Sequence, residues 1–157
     1  MNKLIPIFLV MAIILTGCTA PALPQSTKYI DTGVDPNSWV LVPAGDFYYG
    51  IHSKVVSLDE DYEIMVTHVT NAQYAEFLNA VDPLGFNTYN VYSYRSESEP
   101  NGGIVFDGNA ATGAKYLTKT HMGNKPVNYV SFLDAMRFAN WLHNGQPAGG
   151  SGTETGV

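Results

Sequence analysis

A helix start signal lies near the middle of the chain, in the stretch VTHVTNAQYAEFL at residues 66–78. Thr70 is a suitable N-cap because its hydroxyl can accept a hydrogen bond from an otherwise unpaired helical N–H, and Gln73 completes a capping box. The residues that follow place apolar side chains at i, i+3, i+4 and i+7, on one helix face: Tyr74, Phe77, Leu78 and Val81. Residues 82–85, Asp-Pro-Leu-Gly, predict the end of this helix. The stretch therefore predicts the end of a strand that runs directly into a helix.

A second stretch of the same kind covers residues 124–142, NKPVNYVSFLDAMRFANWL. Ser131 and Asp134 repeat the capping arrangement. The predicted apolar stripe has the same spacing as in the first helix: Ala135, Phe138, Ala139 and Leu142. His-Asn-Gly at residues 143–145 predicts the end of this helix. Trp141 and Trp39 each lie within an apolar run and are predicted to be core residues.

Short strands are predicted before the first helix. A first hairpin is expected from strand 39–42, turn 43–46 and returning strand 47–51, and a second from strands 55–58 and 62–66. Residues 85–123 form a long irregular section rich in Gly and Tyr, with one short strand at 104–106. A loop-rich section of this length is uncommon unless it is functional or is ordered by the rest of the domain.

The chain has 157 residues, which is enough for one domain. Its formal net charge is −6, and the eight Lys and Arg residues are scattered along the sequence. Because no basic stripe is present to meet phosphates, nucleic acid is not expected as a partner.

The N-terminus has the organisation of an export signal. Lys3 precedes an apolar stretch at residues 4–15, which is too short for a bilayer-spanning helix of about 20 residues. The last residue of this stretch and the three that follow resemble the lipobox of bacterial lipoproteins: Leu15, Thr16, Gly17 and Cys18. The resemblance implies cleavage before Cys18 and acylation of that residue. An ordinary signal peptide, or a short anchor with a coincidental cysteine, is the alternative.

Lipoprotein processing divides the chain into a signal peptide at 1–17, a Pro-containing tether at 18–38, a domain at 39–147 and a Gly-rich, linker-like end at 148–157. The implied location is the bacterial cell envelope, with membrane lipid as a partner through Cys18. The residue after the cysteine is Thr19 rather than Asp. By resemblance to lipoprotein sorting in Gram-negative bacteria, this favours the outer membrane.

Metal chemistry has little support in the sequence. Cys18 is the single cysteine, which excludes an intrachain disulfide and a Cys-based metal site. The four histidines show no paired spacing and are expected to be exposed or locally bonded: His52, His68, His121 and His143. The acidic residues at 59–63 lack the alternating ligands of a calcium loop and predict a solvated turn. No metal site is predicted.

Three aromatic residues of the long section are candidate ligand contacts: Tyr89, Tyr92 and Tyr94. Aromatic side chains present rigid amphipathic area, so these residues could form a stacking surface for a carbohydrate or a protein. They could equally pack beneath the loop as a small satellite of the core. The spacing does not orient them, and both alternatives stay open.

Three ordered motifs carry a family resemblance. LVPAGDF at residues 41–47 resembles the V-P-A/G-G-x-F opening of the formylglycine-generating enzyme, or sulfatase-modifying factor, family. VTNAQYAEF at 69–77 is similar to the family's V-T-N-x-Q-Y-x-x-F motif. KPVNYVS at 125–131, with the helix after it, resembles P-V-x-x-V-S/T-W-x-D-A. Small departures are His68, where the family usually has Glu, and Phe132, where Trp is frequent.

The resemblance implies an irregular α+β fold related to C-type lectins, of which this sequence carries the N-terminal half. It also implies an oxidase that binds copper through two thiolates and converts a sulfatase cysteine to formylglycine. The later motifs and their cysteines are missing from the sequence, so no catalytic residue is assigned. Copper is expected only if a missing C-terminal half supplies the thiolates.

Three functions follow as expectations. The first is a lipid-anchored envelope protein with a partial, non-catalytic domain. The second is a surface lipoprotein that binds a carbohydrate or a protein through the loop at residues 85–123, which rests on analogy with the lectin-like fold. The third is a fragment of a formylglycine-generating oxidase.

Overall fold

A computed structural model describes residues 38–154, with Ser151 described by its backbone alone. Six strands and three helices occur in this range, and a single 3₁₀ turn follows them at Gly150–Gly152. The strands form three separate two-stranded antiparallel sheets. The predicted α+β class is confirmed. The predicted signal peptide at 1–17, the lipobox and the tether up to residue 37 lie outside the described residues.

The first four strands form one long ribbon: β1 at Trp39–Val42, β2 at Gly45–Tyr49, β3 at Lys54–Leu58 and β4 at Tyr62–Met65. β2 pairs with β3, and β1 pairs with β4. The two successive hairpins predicted from the sequence are therefore wrong, because the β2–β3 hairpin is nested inside the β1–β4 pair.

A bulge explains why the strands do not turn back at Pro43. The pairing registers place Pro43 and Ala44 opposite three residues, 59–61. Pro43 has no N–H to donate to a ladder. The Ala44 N–H donates instead to the Asp61 side chain, with 2.7 Å between N and Oδ1. The chain therefore continues past the bulge into β2, and the reversal occurs at residues 50–53, where the Ser53 N–H donates to the Gly50 carbonyl.

Helix α1 spans Asn71–Val81 and confirms the predicted start. The Thr70 hydroxyl accepts from the Gln73 N–H, and the Gln73 side chain accepts from the Thr70 N–H. The helix ends at its C-cap Asp82. All four residues of the predicted apolar stripe are buried: Tyr74, Phe77, Leu78 and Val81.

Helix α3 spans Phe132–His143, with the predicted capping box between Ser131 and Asp134. Its predicted stripe is partly wrong. Ala135 and Ala139 are exposed, and the buried positions are Asp134, Phe138, Trp141 and Leu142. The helix is rotated relative to the prediction because the large Trp141 ring, rather than two alanines, enters the core.

The sequence predicts a strand that runs directly into each of these helices. In the structure β4 ends at Met65, before the α1 cap, and the segments that precede the two helices share one isolated antiparallel bridge, between Thr70 and Pro126. The Val127 N–H donates to the Val69 carbonyl at 2.9 Å, and the Asn71 N–H donates to the Lys125 carbonyl at 2.9 Å. The start of α1 is thus joined directly to residues 125–127, in the segment that leads to α3.

An aromatic cluster fills the space between α1 and α3. Phe77 contacts the Phe138 and Trp141 rings with 5.4 Å between centroids in each pair, and Tyr74 lies 5.2 Å from Phe77. Trp39, at the base of the ribbon, packs against this core. All of β2 is exposed, so the far part of the ribbon extends away from the core.

The long section after α1 contains one short helix and two paired strands. These are α2 at Arg95–Ser98, β5 at Ile104–Phe106 and β6 at Tyr116–Thr118. The predicted strand at 104–106 is confirmed. The Asn79 amide of α1 closes the outer edge of β6, since it bonds to both the N–H and the carbonyl of Tyr116 at 2.9 and 2.8 Å.

The predicted linker character of residues 148–157 is wrong for the part that the structure describes. The Gly149 N–H donates to the Ala80 carbonyl at 2.7 Å, and Thr153 is buried. A Cβ on Gly150 would lie 1.9 Å from the nearest atom of the Tyr89 ring. The glycine here permits close packing against the domain, which composition alone does not distinguish from flexibility.

Candidate functional site

Asp82 organises the start of the long loop. Its side chain is buried and accepts hydrogen bonds from the Phe86 N–H at 3.0 Å and the Asn87 N–H at 2.8 Å. The Tyr116 hydroxyl donates to the same carboxylate. Three donors therefore hold one buried carboxylate and join the loop after α1 to strand β6. A carboxylate bonded in this way is stabilised without a cation.

Asn87 holds the next part of the loop in place through its side chain. Its side-chain amide donates to the Tyr92 carbonyl at 2.8 Å and accepts from the Tyr92 N–H at 3.0 Å. Asn87 and Asn90 both have positive φ, of 51° and 53°. Asn tolerates this left-handed backbone better than most residues, and the Asn90 N–H donates to the Asn87 carbonyl at 2.9 Å to close a turn.

The three candidate tyrosines do not form one surface. Tyr89 is partly buried against the core and the Gly150 backbone. Tyr92 is also partly buried, with its ring centroid 5.1 Å from that of Tyr116. Tyr94 is 69% exposed. Tyr89 and Tyr92 thus pack beneath the loop, and Tyr94 faces solvent. Whether any of them contacts a ligand stays a prediction.

The buried tyrosines have raised pKa values. Burial is the largest cause for Tyr116, whose pKa is also raised by its hydrogen bond to Asp82. Burial and then Glu97 raise the pKa of Tyr92. Burial followed by Asp134 raises the pKa of Tyr74. These hydroxyls stay neutral at pH 7 and act as hydrogen-bond donors.

Three large apolar or aromatic side chains at the start of the long section are exposed to solvent: Leu84, Phe86 and Tyr94. Phe86 is held by its own backbone bond to Asp82, since its N–H is one of the three donors there. An ordered loop with exposed aromatic side chains can bind a ligand with little loss of conformational entropy. These side chains fit the predicted binding role.

Asn71 ties together two of the motifs that suggested the family resemblance. Its side chain is fully buried, and Nδ2 donates to the carbonyls of Met122 at 2.9 Å and Lys125 at 3.0 Å. Gly103 lies against this amide so closely that a Cβ there would be 2.3 Å from its atoms. Asn71 Oδ1 has no hydrogen-bond partner. These contacts give Asn71 a structural role, since they join the start of α1 to the segment before α3.

A second amide cluster lies on the surface beside this junction. Asn128 Nδ2 donates to the Asn101 carbonyl at 2.8 Å, and the Tyr129 hydroxyl donates to Asn101 Oδ1 at 2.6 Å. Tyr129 has a φ of 59°, which is uncommon for an aromatic residue. The strained backbone directs the Tyr129 ring toward the Asn101 turn and leads the chain into the α3 cap.

A shallow, open groove lies between α1 and β6. It has a volume of about 560 Å³. Small side chains of α1 form one wall and β6 forms the other, with Glu76 as the charged residue of the lining. The groove has no convergent set of polar groups of the kind that orients a small ligand.

The residues present do not fit the copper site that the resemblance implies. A thiolate pair is needed, and Cys18, which is the single cysteine of the sequence, lies outside the described residues. Within residues 38–154, no three His, Cys, Asp or Glu side chains are grouped so that they could hold a metal ion. His52, His68 and His121 are exposed, and His143 is partly exposed. No reaction step is therefore derived through copper.

One surface was missed by sequence reasoning. The outer face of α3 exposes large apolar side chains, with Phe132 at 78% exposure, followed by Leu133 and Met136. Together with Ala135 and Ala139 they form what we call the α3 outer face. The sequence does contain the signal, because α3 has apolar residues at more positions than one stripe needs. Among the helices in residues 38–154, none is both long enough and apolar enough to cross a bilayer.

Comparison with known proteins gives one match. The family model of the sulfatase-modifying factor enzyme 1-like domain matches residues 27–147, which is most of the chain. The match begins at Thr27, inside the segment that the sequence assigned to the tether, and ends at Pro147, where the predicted domain ends. Searches of curated proteins and of solved structures found no match.

Proposed function

Because this chain belongs to the sulfatase-modifying factor enzyme 1-like domain family, we propose that it is a lipid-anchored protein of the bacterial cell envelope that carries a partial, non-catalytic domain of that family. The anchor is Cys18, and the location that Thr19 favours is the outer membrane. The non-catalytic part of the proposal follows from the family resemblance, whose oxidase chemistry needs a thiolate pair, whereas Cys18 is the single cysteine of the sequence.

The observation that carries the partial-domain proposal is the α3 outer face. Phe132, Leu133 and Met136 are exposed on a helix that is fully capped and packed on its opposite side. A helix with apolar residues on both sides is usually covered on both sides. We infer that the α3 outer face is covered by further structure of the family's domain, from a longer chain or from a separate one.

The lipid anchor is supported by the sequence. A positively charged start, a short apolar stretch and the lipobox follow one another, and the chain's single cysteine is at the position that the lipobox requires. Each acyl methylene buried in the bilayer contributes about 0.8 kcal/mol, so two or three chains give a stable attachment.

The anchor is tested by labelling. The full chain would be expressed in a Gram-negative bacterium that is fed an alkyne analogue of palmitate. Wild-type protein should carry the label and sediment with outer membranes, and Cys18→Ser protein should carry none. Label that persists in Cys18→Ser would refute the assignment.

The lack of catalysis is tested with a sulfatase peptide that contains the target cysteine. The purified chain, supplied with copper and oxygen, should leave the peptide mass unchanged. A peptide converted to its formylglycine form would overturn the non-catalytic proposal and favour the oxidase alternative. A known active oxidase of the family provides the positive control.

A binding role for residues 85–123 is the second candidate. The observation that favours it is the exposed group of Leu84, Phe86 and Tyr94 on a loop held by Asp82. Affinity electrophoresis in gels that contain bacterial polysaccharides would test it for carbohydrates. Retardation that is lost in Tyr94→Ala but kept in Tyr48→Ala, another exposed tyrosine, would support it. Equal mobility of all three proteins in every gel would contradict carbohydrate binding.

A further inference from the structure

The reversal between β2 and β3 presents an apolar tip to solvent. Residues 47–55 are named here the ribbon tip. Ile51 is 93% exposed, and Tyr48 and Tyr49 are both exposed as well. The Phe47 and Tyr49 rings pack edge to face with 6.5 Å between centroids, so the aromatic side chains of this face support each other. Among described residues, this is the part of the ribbon farthest from Trp39 and the core.

Charge is distributed unevenly along the ribbon. The chain as a whole has a net charge of −6, yet residues 47–58 contain no Asp or Glu. Lys54 follows the turn directly, and His52 lies within it. The nearest acidic residue is Asp46, which precedes the tip in β2 and pairs with Ser57, and four more acidic residues lie in the bulge and β4 at 59–63. The tip therefore combines aromatic and aliphatic side chains with a cationic one.

We propose that the ribbon tip inserts into the interface of the bilayer that holds the Cys18 lipid, and this rests on the lipid attachment proposed above. Tyrosines are favoured at the headgroup level, where the ring is in an apolar setting and the hydroxyl is hydrated. Ile51 enters the boundary of the acyl chains, and Lys54 extends its ammonium group toward anionic headgroups.

The length of the chain outside the described residues permits this arrangement. With about 3.3 Å per residue, the ribbon from Trp39 to its tip is roughly 30 Å long. When the tip contacts the bilayer, the base stands at about that height. Residues 19–38 join the base to the lipidated cysteine, and 20 residues can span at most about 66–72 Å, which exceeds that height. The anchor and the tip can therefore meet the same membrane.

A lipid surface suits the tip better than a second copy of the chain. Phe47, Tyr48 and Tyr49 are 39%, 76% and 65% exposed, so at about 150–250 Å² for a whole side chain they can still bury roughly 270–450 Å² together. A stable protein dimer needs about 800 Å² from each partner, which the few large side chains of the tip do not provide. A bilayer needs no complementary shape, so small insertions add to an existing anchor.

The test uses the full lipidated chain in vesicles of phosphatidylethanolamine and phosphatidylglycerol. Lipidation consumes the Cys18 thiol, so Ile51→Cys introduces a single reactive thiol for an environment-sensitive fluorophore. Its emission should shift to shorter wavelength and be quenched by a nitroxide attached to the lipid headgroup region. Glu60→Cys, at the exposed bulge of the same ribbon, is the matched control and should show neither effect.

Three results would overturn the proposal, and they are distinguishable. An unshifted probe at position 51 on a protein with one fluorophore per chain refutes tip insertion and leaves the lipid anchor intact. A shifted probe that lipid nitroxide does not quench means that the tip contacts protein instead. Two fluorophores per chain mean that Cys18 is free, which refutes the anchor itself and the tip proposal with it.

Discussion

The Tyr116 hydroxyl donates a hydrogen bond to the carboxylate of Asp82, and both side chains are buried. This contact joins the end of α1 to strand β6 across 34 residues of sequence. The same carboxylate accepts from two backbone N–H groups of the loop. The start of the loop thus depends on one buried carboxylate.

Asp82→Asn should destabilise the protein by about 1–3 kcal/mol. The amide replaces an acceptor with a donor, so at least one of the three bonded groups is left unpaired in a buried place. Urea denaturation measures the loss. Asp107→Asn is the control, because the Asp107 carboxylate accepts a single exposed bond from the Asn109 N–H at 2.9 Å. A loss no larger than that of the control would contradict the role given to Asp82.

Stability should fall at alkaline pH. The pKa values of Tyr74, Tyr92 and Tyr116 are raised in the folded state, mainly by burial. The folded state then holds protons that the unfolded state releases above its ordinary tyrosine pKa of about 10. The stabilisation is complete below pH 10 and is lost as pH rises above it, by about 1.4 kcal/mol per pH unit for each group.

The measurement for this prediction is urea denaturation at a series of pH values from about 9 to about 12, which spans the ordinary tyrosine pKa of about 10. Tyr116→Phe should reduce the slope of unfolding free energy against pH by the contribution of one proton, about 1.4 kcal/mol per pH unit. Tyr94→Phe, at an exposed residue, should leave this slope unchanged. Equal slopes for Tyr116→Phe and wild type would mean that Tyr116 ionises normally in the folded protein.

Gly103→Ala should destabilise the protein by about 1–3 kcal/mol, because a methyl group there overlaps the Asn71 amide. A Cβ at position 103 would lie 2.3 Å from atoms of that amide. Gly108→Ala is the matched control in the same loop section, since its nearest contact is 3.5 Å from Phe106. Thermal melting compares the two variants. Equal melting temperatures would show that the Asn71–Gly103 contact is looser than described.

Alanine substitution of two phenylalanines of α3 should change the stability of the protein by very different amounts. Phe138→Ala should cost about 3–5 kcal/mol because it opens a cavity between α1 and α3. Phe132→Ala should change stability by no more than about 0.5 kcal/mol in the chain alone and should reduce its aggregation. Urea denaturation and light scattering measure these effects. A large loss of stability in Phe132→Ala would mean that the α3 outer face is already covered.

Local signals were sufficient for the helices. Thr70 with Gln73, and Ser131 with Asp134, determine the starts of α1 and α3, because a capping box is formed within four residues. The buried face of α1 could also be predicted locally, because its apolar residues occupy a single stripe with helical spacing. The buried face of α3 did not, since its apolar residues surround most of the helix and only contact with α1 selects Phe138 and Trp141.

Long-range contacts account for what the sequence did not predict. The nested ribbon depends on a bulge in which Asp61 supplies the partner of the Ala44 N–H, and this contact joins residues 17 positions apart. The packing of residues 148–154 depends on the Tyr89 ring, which lies far away in sequence. Of the candidate tyrosines, the burial of Tyr92 beside Tyr116 could not be read from spacing.

The lipid-anchored function is tested most directly by the intact mass of the protein purified from bacterial membranes. We expect a chain that begins at Cys18 and carries the added mass of two or three acyl chains, with no such species in Cys18→Ser. A mass that corresponds to an unmodified Cys18, or to a chain that keeps residues 1–17, would contradict the lipid-anchored function.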